Sequence, residues 1–499
     1  MQFEFSDNSL DKISSDAIIV FAFQDEKREE YLPLDSFIYL DNLLSKSLSQ
    51  IAQTAGFKGG KGEMLNVFPQ EKILAKWVVI LGLGKKSEFT ADDLRRVLGS
   101  FSMKMKKKIA SLAVSLPLSK NFLLSQEECA NLIAEGLILG TYRFNKYKSK
   151  EDKKEKDFST VILSGKISSA EKKAIDKARL YSEATILARD LVNEQAAVAT
   201  PTYLANIAMD ISKKDKKHIT CKILGKREAE KLGMEAFLGI ARASDTEPKF
   251  IVLEYNPGKT NKDKLAIVGK GITFDSGGIN VKPGEHMQDM KMDMSGAAVV
   301  LGVFSVISDI KPNFSVIGVI AATPNLISGS SLVPGDVVRA MNGKTIEVLN
   351  TDAEGRVTMA DSLSYAVKEG ATRIVDFATL TGACMVALGT EITGLFSNDR
   401  ALAEEIKKAA FDAGEKVWEL PLEKEYKEMN KSEVADVANI PNSRYAGAIT
   451  AGLFLEEFVG NKPWAHLDIA GPAFSSKATD IGPKGGTGHG VRTVLNLLI

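Results

Sequence analysis

Residues 265–293, LAIVGKGITFDSGGINVKPGEHMQDMKMD, combine a β-rich apolar run with a loop rich in glycine and acidic side chains. The run 265–268 is predicted to be a buried strand that ends just before Gly269. Four glycines within residues 269–278 permit sharp backbone conformations around Lys270 and Asp275. A strand followed by such a loop is typical of an α/β domain, in which ligands bind beyond the carboxyl ends of the strands.

A second polar cluster, residues 350–356 (NTDAEGR), follows the strand candidate 346–349 and precedes a helix predicted to begin near Val357. Asp352 and Glu354 are two residues apart, so in an extended segment their side chains would project to the same side. Because both clusters follow strands, we expect them to face one another across the edge of one sheet.

Together the two clusters offer these candidate metal ligands: Lys270, Asp275, Asp293, Asp352 and Glu354. Four converging carboxylates would repel one another and destabilise the fold unless cations neutralised them. Oxygen-rich ligands favour Mg, Mn, Zn or Co. Lys270 could bind a metal only if nearby dications depressed its pKa and freed the neutral amine. A pair of such ions could activate water against an amide or a phosphate ester alike, and the residues by themselves leave both open.

The length of 499 residues predicts two domains, because a single hydrophobic core stops growing at roughly 250 to 300 residues. Residues 1–165 alternate β-rich runs with helix-compatible stretches, which predicts an N-terminal α/β domain. Residues 166–193 contain apolar positions at helical spacing and are predicted to form a linker helix. Residues 194–499 contain several further strand candidates separated by helical patterns, which predicts a larger α/β domain with a mixed, mostly parallel sheet.

The overall composition excludes several classes of partner. Lys plus Arg (64) equals Asp plus Glu (64), so no global field attracts nucleic acid or anionic lipid. The three cysteines are widely spaced, which argues against a disulfide framework. The chain starts without a signal-like segment, and its longest apolar run, 297–307, is too short to span a bilayer. We therefore expect a cytoplasmic protein that does not contact membranes.

Several motifs of the second half resemble those of the leucine (cytosol) aminopeptidase family of dinuclear-metal exopeptidases. They are GKGITFDSGG, VKPG, MKMDMSGAA, NTDAEGR, DFATLTGA, GAITAGLFLEEFV, WAHLDIAGPAF and GTGHGVRT. The resemblance covers the chain from about Arg189 onward, and it indicates a bacterial member of the family. It implies removal of the N-terminal residue, preferably Leu or another apolar residue, from peptides with a free N-terminus.

The resemblance assigns a role to each candidate ligand. Asp275 and Glu354 would bridge two divalent ions, Asp352 would belong to the more exchangeable site, and Lys270 with Asp293 would complete the tighter one. The ions would be Mn²⁺ or Zn²⁺, with Mg²⁺ or Co²⁺ as alternatives. The α-amine of the substrate would bind a metal close to Asp293.

Two further residues are implied to be catalytic. Lys282 would polarise the scissile carbonyl and stabilise its oxyanion. Arg356 would hold a bicarbonate, the general base, against the backbone near Ala353, Gly355 and Leu380. The pocket for the first side chain would be shaped at or near Met290, Asn350, Thr379 and Ala451.

The resemblance also implies an N-terminal domain like the macro fold, a catalytic domain around an eight-stranded sheet, and a homohexamer. Two other functions compete with the peptidase: a dinuclear phosphoesterase, and a DNA-binding regulator on the same fold. For the regulator, lysines at 104 and 106–108 are the candidate patch, although such a run is more often one solvated helix face. A DNA partner is therefore not expected.

Overall fold

The computed structural model describes residues 1–28, 30–69, 72–117, 122–149, 158–258 and 262–499. These residues form two units. The first comprises Met1–Ser182 and Lys477–Lys484, and the second comprises Glu183–Ser476 and Gly485–Ile499. The domain boundaries 1–165, 166–193 and 194–499 stay a prediction.

The first unit is built on a seven-stranded sheet among its described residues. Its strands are β1 (Gln2–Ser6), β2 (Ala17–Gln24), β3 (Tyr31–Pro33), β4 (Met64–Val67), β5 (Trp77–Lys85), β6 (Ser111–Ser115) and β7 (Thr160–Ser164). The order is β1-β7-β6-β2-β5-β4, with β3 paired to β2, and the four pairs from β1 to β5 are parallel. The apolar strand β2 is buried along nearly its whole length, which places it at the centre of this sheet.

Four helices accompany this sheet in the described part of the first unit: α1 (Asp35–Leu43), α2 (Ser47–Thr54), α3 (Ala91–Met105) and α4 (Gln126–Thr141). Helix α4 begins with a capping box, because Ser125 and Glu128 each accept a hydrogen bond from the other's backbone N–H. Helix α5 (Ser169–Asn193) matches the predicted linker helix closely, and the division between the units falls within it.

The second unit contains both strands and helices. Its strands are β8 (Ile219–Leu224), β9 (Lys249–Tyr255), β10 (Lys264–Asp275), β11 (Ser315–Asn325), β12 (Asp336–Arg339), β13 (Thr345–Val348), β14 (Arg373–Ala378), β15 (Ile392–Ser397), β16 (Lys416–Glu419), β17 (Val437–Ala438), β18 (Trp464–Asp468), β19 (Phe474–Ser475) and β20 (Gly485–Gly486). Its helices are α6 (Pro201–Lys214), α7 (Lys226–Lys231), α8 (Glu235–Ala241), α9 (Gly284–Met287), α10 (Ser295–Phe304), α11 (Ile307–Ile310), α12 (Glu354–Lys368), α13 (Gly382–Leu388), α14 (Arg400–Ala413), α15 (Gly447–Glu456) and α16 (Val491–Leu497).

The principal sheet of the second unit has eight strands in the order β16-β15-β18-β14-β10-β11-β9-β8. The strands β18, β14, β10 and β11 run parallel to one another. At one edge β9 runs antiparallel to β11, and β8 runs antiparallel to β9. Two α/β units with a mixed, mostly parallel eight-stranded sheet confirm the predicted fold class. The central strand β10 is buried on both faces, so its carboxyl end lies inside the protein.

The structure corrects two expectations for the strands beside the clusters. Strand β10 does not end before Gly269 but continues to Asp275, because Gly269 lets the strand approach the backbone of Gly296 at the start of α10. A Cβ at Gly269 would lie 2.3 Å from the carbonyl oxygen of Gly296. Strand β13, which precedes the second cluster, belongs to a separate three-stranded sheet with β12 and β17.

No helix in the described part of the chain is both long enough and apolar enough to cross a bilayer. The cysteines Cys129, Cys221 and Cys384 are unpaired.

Candidate metal centre

Three carboxylates from three different elements converge at the carboxyl end of β10. Asp275 is the last residue of β10, Asp293 lies in the 3-10 helix Met290–Met294, and Glu354 is the first residue of α12. One oxygen of each lies within 4.8 Å of the others, and all three side chains are buried. The predicted convergence of the two clusters is therefore present.

Lys270 lies among these carboxylates and is only 4% exposed. Its Nζ is 2.7 Å from Asp293 Oδ2 and 2.9 Å from Glu354 Oε1. It also donates a hydrogen bond of 3.0 Å to the carbonyl of Thr379. Strand β10 thus directs Lys270 and Asp275 toward the same cluster.

Lys282 contacts the other side of the cluster. Its Nζ is 2.8 Å from Asp275 Oδ2 and 2.6 Å from Asp352 Oδ1. All five predicted ligands and Lys282 therefore form one network. The segment around Asp352 is a turn that leads into α12, and it is not an extended strand. Asp352 and Glu354 therefore approach each other because the chain turns into a helix here, and not because side chains two residues apart in a strand project to the same side.

Gly355 lies directly against the Lys270 side chain of this network. A Cβ at Gly355 would lie 2.4 Å from Lys270 Cε and 2.7 Å from its Nζ. Real Cβ atoms are not found that close, so Gly355 makes the room in which the Lys270 side chain lies against the first turn of α12.

The charges of the network do not balance. Four carboxylates (Asp275, Asp293, Asp352 and Glu354) face two ammonium groups (Lys270 and Lys282). Burial raises the pKa of Asp293 to about 6 although Lys270 opposes the rise. Burial and then the charge of Asp275 raise the pKa of Glu354 well above its usual value. Divalent cations would supply the positive charge that these buried acids need.

One carboxylate oxygen of Glu354 accepts no hydrogen bond from the described residues. Among the described residues, Glu354 Oε2 has no hydrogen-bond partner, although its side chain is almost completely buried. A buried carboxylate oxygen without a donor is costly unless it binds a cation. The residues present therefore fit oxygen-binding divalent metals.

Lys270 would have to lose a proton to become a ligand. Burial favours its neutral form, but the charges of Asp293, Glu354 and Asp275 more than compensate and raise the pKa of Lys270. Binding of a metal by Lys270 would therefore have to be coupled to release of its proton.

Arg356 lies in the first turn of α12 and is buried. Its Nη1 donates to the backbone carbonyl of Asn439 at 2.9 Å, whereas its Nε has no hydrogen-bond partner within the part of the chain that the structure describes. Burial lowers the pKa of Arg356 to about 10, and the charges of Glu354 and Asp468 oppose this. A buried guanidinium with a free donor suits a small anion.

Among the predicted substrate and bicarbonate residues, Thr379 and Asn350 contact members of the network directly, whereas Ala451 is placed only as a buried residue of α15. Thr379 Oγ1 donates to Asp293 Oδ1 at 2.7 Å, and Asn350 Oδ1 accepts from the backbone N–H of Asp352 at 2.8 Å. The half-buried Met290 opens the 3-10 helix that carries Asp293. Ala353 immediately precedes α12.

Leu380, whose backbone is predicted to lie near the bicarbonate, contacts a buried aspartate. The backbone N–H of Leu380 donates to Asp468 Oδ1 at 3.2 Å, and Thr381 Oγ1 donates to Asp468 Oδ2 at 2.7 Å. Asp468 is therefore a residue that sequence reasoning missed. Asp468 lies in the segment WAHLDIAGPAF, which resembles the family, but the resemblance assigned no role to this aspartate.

Two buried asparagines were also missed. Asn439 accepts from the N–H of Leu349 at 2.8 Å and donates to the carbonyl of Asn350 at 2.7 Å, so it holds the loop that carries Asp352. Asn325 donates to Asp275 Oδ1 at 2.8 Å. Both lie far along the chain from the residues that they contact, so the sequence does not reveal these contacts.

Comparison with known proteins identifies the family. A model of the cytosol aminopeptidase family, catalytic domain, matches residues 186–495, and a model of the N-terminal domain of the same family matches residues 19–151. The chain belongs to the cytosol aminopeptidase family. Its N-terminal region therefore follows the family pattern as well as its catalytic half.

Individual cytosol aminopeptidases are similar in sequence to this chain over nearly its whole length. A probable cytosol aminopeptidase of Alkaliphilus metalliredigens (strain QYMF) is 42% identical over 501 residues, which cover 100% of this chain and 99% of the relative. One from Aquifex aeolicus (strain VF5) is 43% identical over 493 residues, which cover 96% and 98% of the two chains.

Solved structures agree with this cytosol aminopeptidase in fold. A variant of tomato leucine aminopeptidase superposes with a TM-score of 0.89 at 35% identity, covering 100% of this chain and 96% of that one. The bottromycin maturation enzyme BotP in complex with Mn superposes with a TM-score of 0.85 at 31% identity, covering 97% and 99%. The chain is a metal-dependent aminopeptidase, and these matches give no support to the phosphoesterase or DNA-binding alternatives.

Proposed function

We propose that this aminopeptidase removes leucine or another apolar residue from the N-terminus of peptides with the help of two divalent metal ions. The observation that carries the proposal is the convergence of four carboxylates with Lys270 and Lys282 at the end of β10. The ligands would be Lys270, Asp275, Asp293, Asp352 and Glu354, with Asp275 and Glu354 shared between the two ions. When bound, the ions would acidify a water molecule and neutralise the charge that develops on the substrate.

The cations of the chain would divide the remaining work. Lys282 is partly accessible and would donate to the scissile carbonyl oxygen as it becomes negative. Arg356 is held on one side by Asn439, and its unused donor would bind a bicarbonate, which would accept a proton from the attacking water. Backbone groups of Ala353, Gly355 and Leu380 would border that anion.

Two groups of the N-terminal residue would be recognised, its free α-amine and its side chain. The free α-amine would bind next to Asp293, which Thr379 orients by a hydrogen bond of 2.7 Å. Met290, Asn350 and Thr379 would border the first side chain, and the thioether and methyl groups among them suit an apolar residue.

We further propose Mn²⁺ or Zn²⁺ as the native ions, with Mg²⁺ or Co²⁺ as alternatives, a homohexamer as the assembly, and the cytoplasm as the location. The Mn complex of a protein 31% identical in sequence supports manganese. The curated relatives are called cytosol aminopeptidases, which supports the location.

The decisive experiment compares leucyl p-nitroanilide with its N-acetylated form, using protein that has been stripped by a chelator and then reloaded with Mn²⁺ or Zn²⁺. We expect turnover of the free-amine substrate only after reloading, and none of the acetylated one. Equal turnover of both substrates would contradict amine anchoring. Hydrolysis of p-nitrophenyl phosphate without peptidase activity would instead support the phosphoesterase.

A further inference from the structure

Asn325 connects the two loops of the candidate metal centre. It is the last residue of β11, is 3% exposed, and lies opposite Asp275 in the pairing of β10 with β11. Its Nδ2 donates to Asp275 Oδ1 at 2.8 Å and to the carbonyl oxygen of Thr351 at 3.0 Å. Both hydrogens of the amide are therefore used, one on each loop.

The first bond determines how Asp275 is oriented. Asp275 Oδ1 accepts from Asn325 and also from the backbone N–H of Gly277 at 2.9 Å. Its Oδ2 instead faces Lys282 Nζ at 2.8 Å. Because one oxygen is already occupied by two donors, the other is the oxygen that remains for a cation.

The second bond acts on the loop that carries Asp352. Thr351 immediately precedes Asp352, and its Oγ1 donates to the carbonyl of Gly277 at 2.7 Å. The backbone of Asn325 adds a further link, because its carbonyl accepts from the N–H of Ser276 at 3.0 Å and from Ser276 Oγ at 2.9 Å. Residues 275–277 and 351–352 are thus held to the end of one strand.

We propose that Asn325 is a positioning residue for divalent-metal binding. It orients Asp275 and the turn before Asp352 so that both carboxylates are in place before the ion arrives, without contacting the ion itself. This inference rests on the proposed function, because it takes Asp275 and Asp352 as ligands. Partners that orient metal ligands from behind typically change metal affinity by 10- to 100-fold when removed.

The test is calorimetric titration of Mn²⁺ into metal-free full-length protein for the wild type, Asn325→Leu and the control Asn430→Leu. Asn430 is a buried asparagine of the same unit whose amide donates to the carbonyl of Thr450 at 2.7 Å, and it contacts none of the proposed ligands. We expect Asn325→Leu to raise the Kd for Mn²⁺ roughly 10- to 100-fold with unchanged stoichiometry. Asn430→Leu should keep the Kd of the wild type.

Each other outcome has a definite meaning. Equal Kd values for the two variants would overturn the inference, as would a lower stoichiometry with an unchanged Kd, because that result indicates partial unfolding. If either leucine variant does not fold, the pair Asn325→Ala and Asn430→Ala gives the same comparison. Wild-type protein that binds no Mn²⁺, Zn²⁺, Mg²⁺ or Co²⁺ would refute the proposed function itself.

Discussion

At the scale of single residues, Lys282 and Asp275 are direct neighbours with different predicted roles. Lys282→Ala removes the proposed oxyanion donor, so we expect kcat to fall by about 10²- to 10³-fold. Metal content should stay near that of the wild type, because the substitution removes a cation that competes for Asp275 and Asp352. Asp275→Ala should lose bound metal. Measurement of kcat and of metal per subunit by mass spectrometry distinguishes the two, and equal metal loss in both variants would remove the distinction.

Substitution of Gly355 tests whether the position of the Lys270 side chain affects metal binding. A methyl group at this position would overlap Lys270 Cε, so Gly355→Ala should displace Lys270 and weaken metal binding. Alanine favours a helix over glycine by about 1 kcal/mol, so a loss of metal could not be explained by a weaker α12. Gly329→Ala, where the added Cβ meets nothing within 4 Å, is the control and should bind metal normally. Normal Mn²⁺ content in Gly355→Ala would show that Lys270 is not constrained in this way.

At the scale of elements, helix α12 carries the candidate site at its start and a buried acid further along. Asp361 accepts hydrogen bonds from the N–H groups of Phe237 and Met341, each at 2.7 Å, and so ties α12 to two other segments. Burial raises the pKa of Asp361 to about 7, although both hydrogen bonds oppose the rise. The ionised form of this tether is therefore costly at neutral pH.

Because burial raises the pKa of Asp361, its contribution to the stability of the folded protein decreases as the pH rises. The folded protein binds the Asp361 proton more tightly than the unfolded chain does, so this contribution to stability is complete below the ordinary pKa of 3.8 and is lost as the pH rises through about 7. Relative to Asp361→Asn, the wild type should lose on the order of 2 kcal/mol of unfolding free energy between pH 5 and pH 7. Urea denaturation of both proteins at several pH values measures this, and a constant difference would show that Asp361 does not titrate in that range.

At the scale of the whole molecule, metal binding should be linked to stability. A ligand at one hundred times its Kd stabilises the folded state by about 2.7 kcal/mol, so chelation should lower the Tm and Mn²⁺ or Zn²⁺ should restore it. The buried carboxylates explain the direction, since without cations they repel one another. Asp275→Ala should show a much smaller response. The same Tm with and without chelator in the wild type would contradict this linkage.

The assembly is a second property of the whole molecule. Large apolar side chains of the second unit are exposed in the single chain, among them Val386, Phe411, Trp418 and Tyr445. Burial of such residues would favour association between copies. With a chain mass of 54.1 kDa, the proposed homohexamer should have a mass of about 325 kDa in light scattering. A mass near that of one chain would rule the hexamer out.

The fold class, the family and the two acidic clusters can all be recognised from the order of residues along the chain. The apolar runs 265–268 and 346–349 indicated strands β10 and β13, except that the carboxyl end of β10 was placed too early. Hydrophobic periodicity and glycine-rich turn chemistry are local properties, and local properties can be read along the chain. Asp275, Asp352 and Glu354 could be selected for the same reason, because each is an acidic residue in a polar segment that follows an apolar run.

The contacts that hold these residues in place form between segments that are distant in sequence. The bonds of Asn325 to Asp275, of Asn439 to the loop before Asp352, and of Asp468 to Leu380 join residues that are distant in sequence. The extension of β10 to Asp275 depended on the close approach of α10, and the placement of β13 depended on its pairing with β12 and β17. Such contacts depend on the order of the strands and on which segments pack together, and the chemistry of one segment does not contain that information.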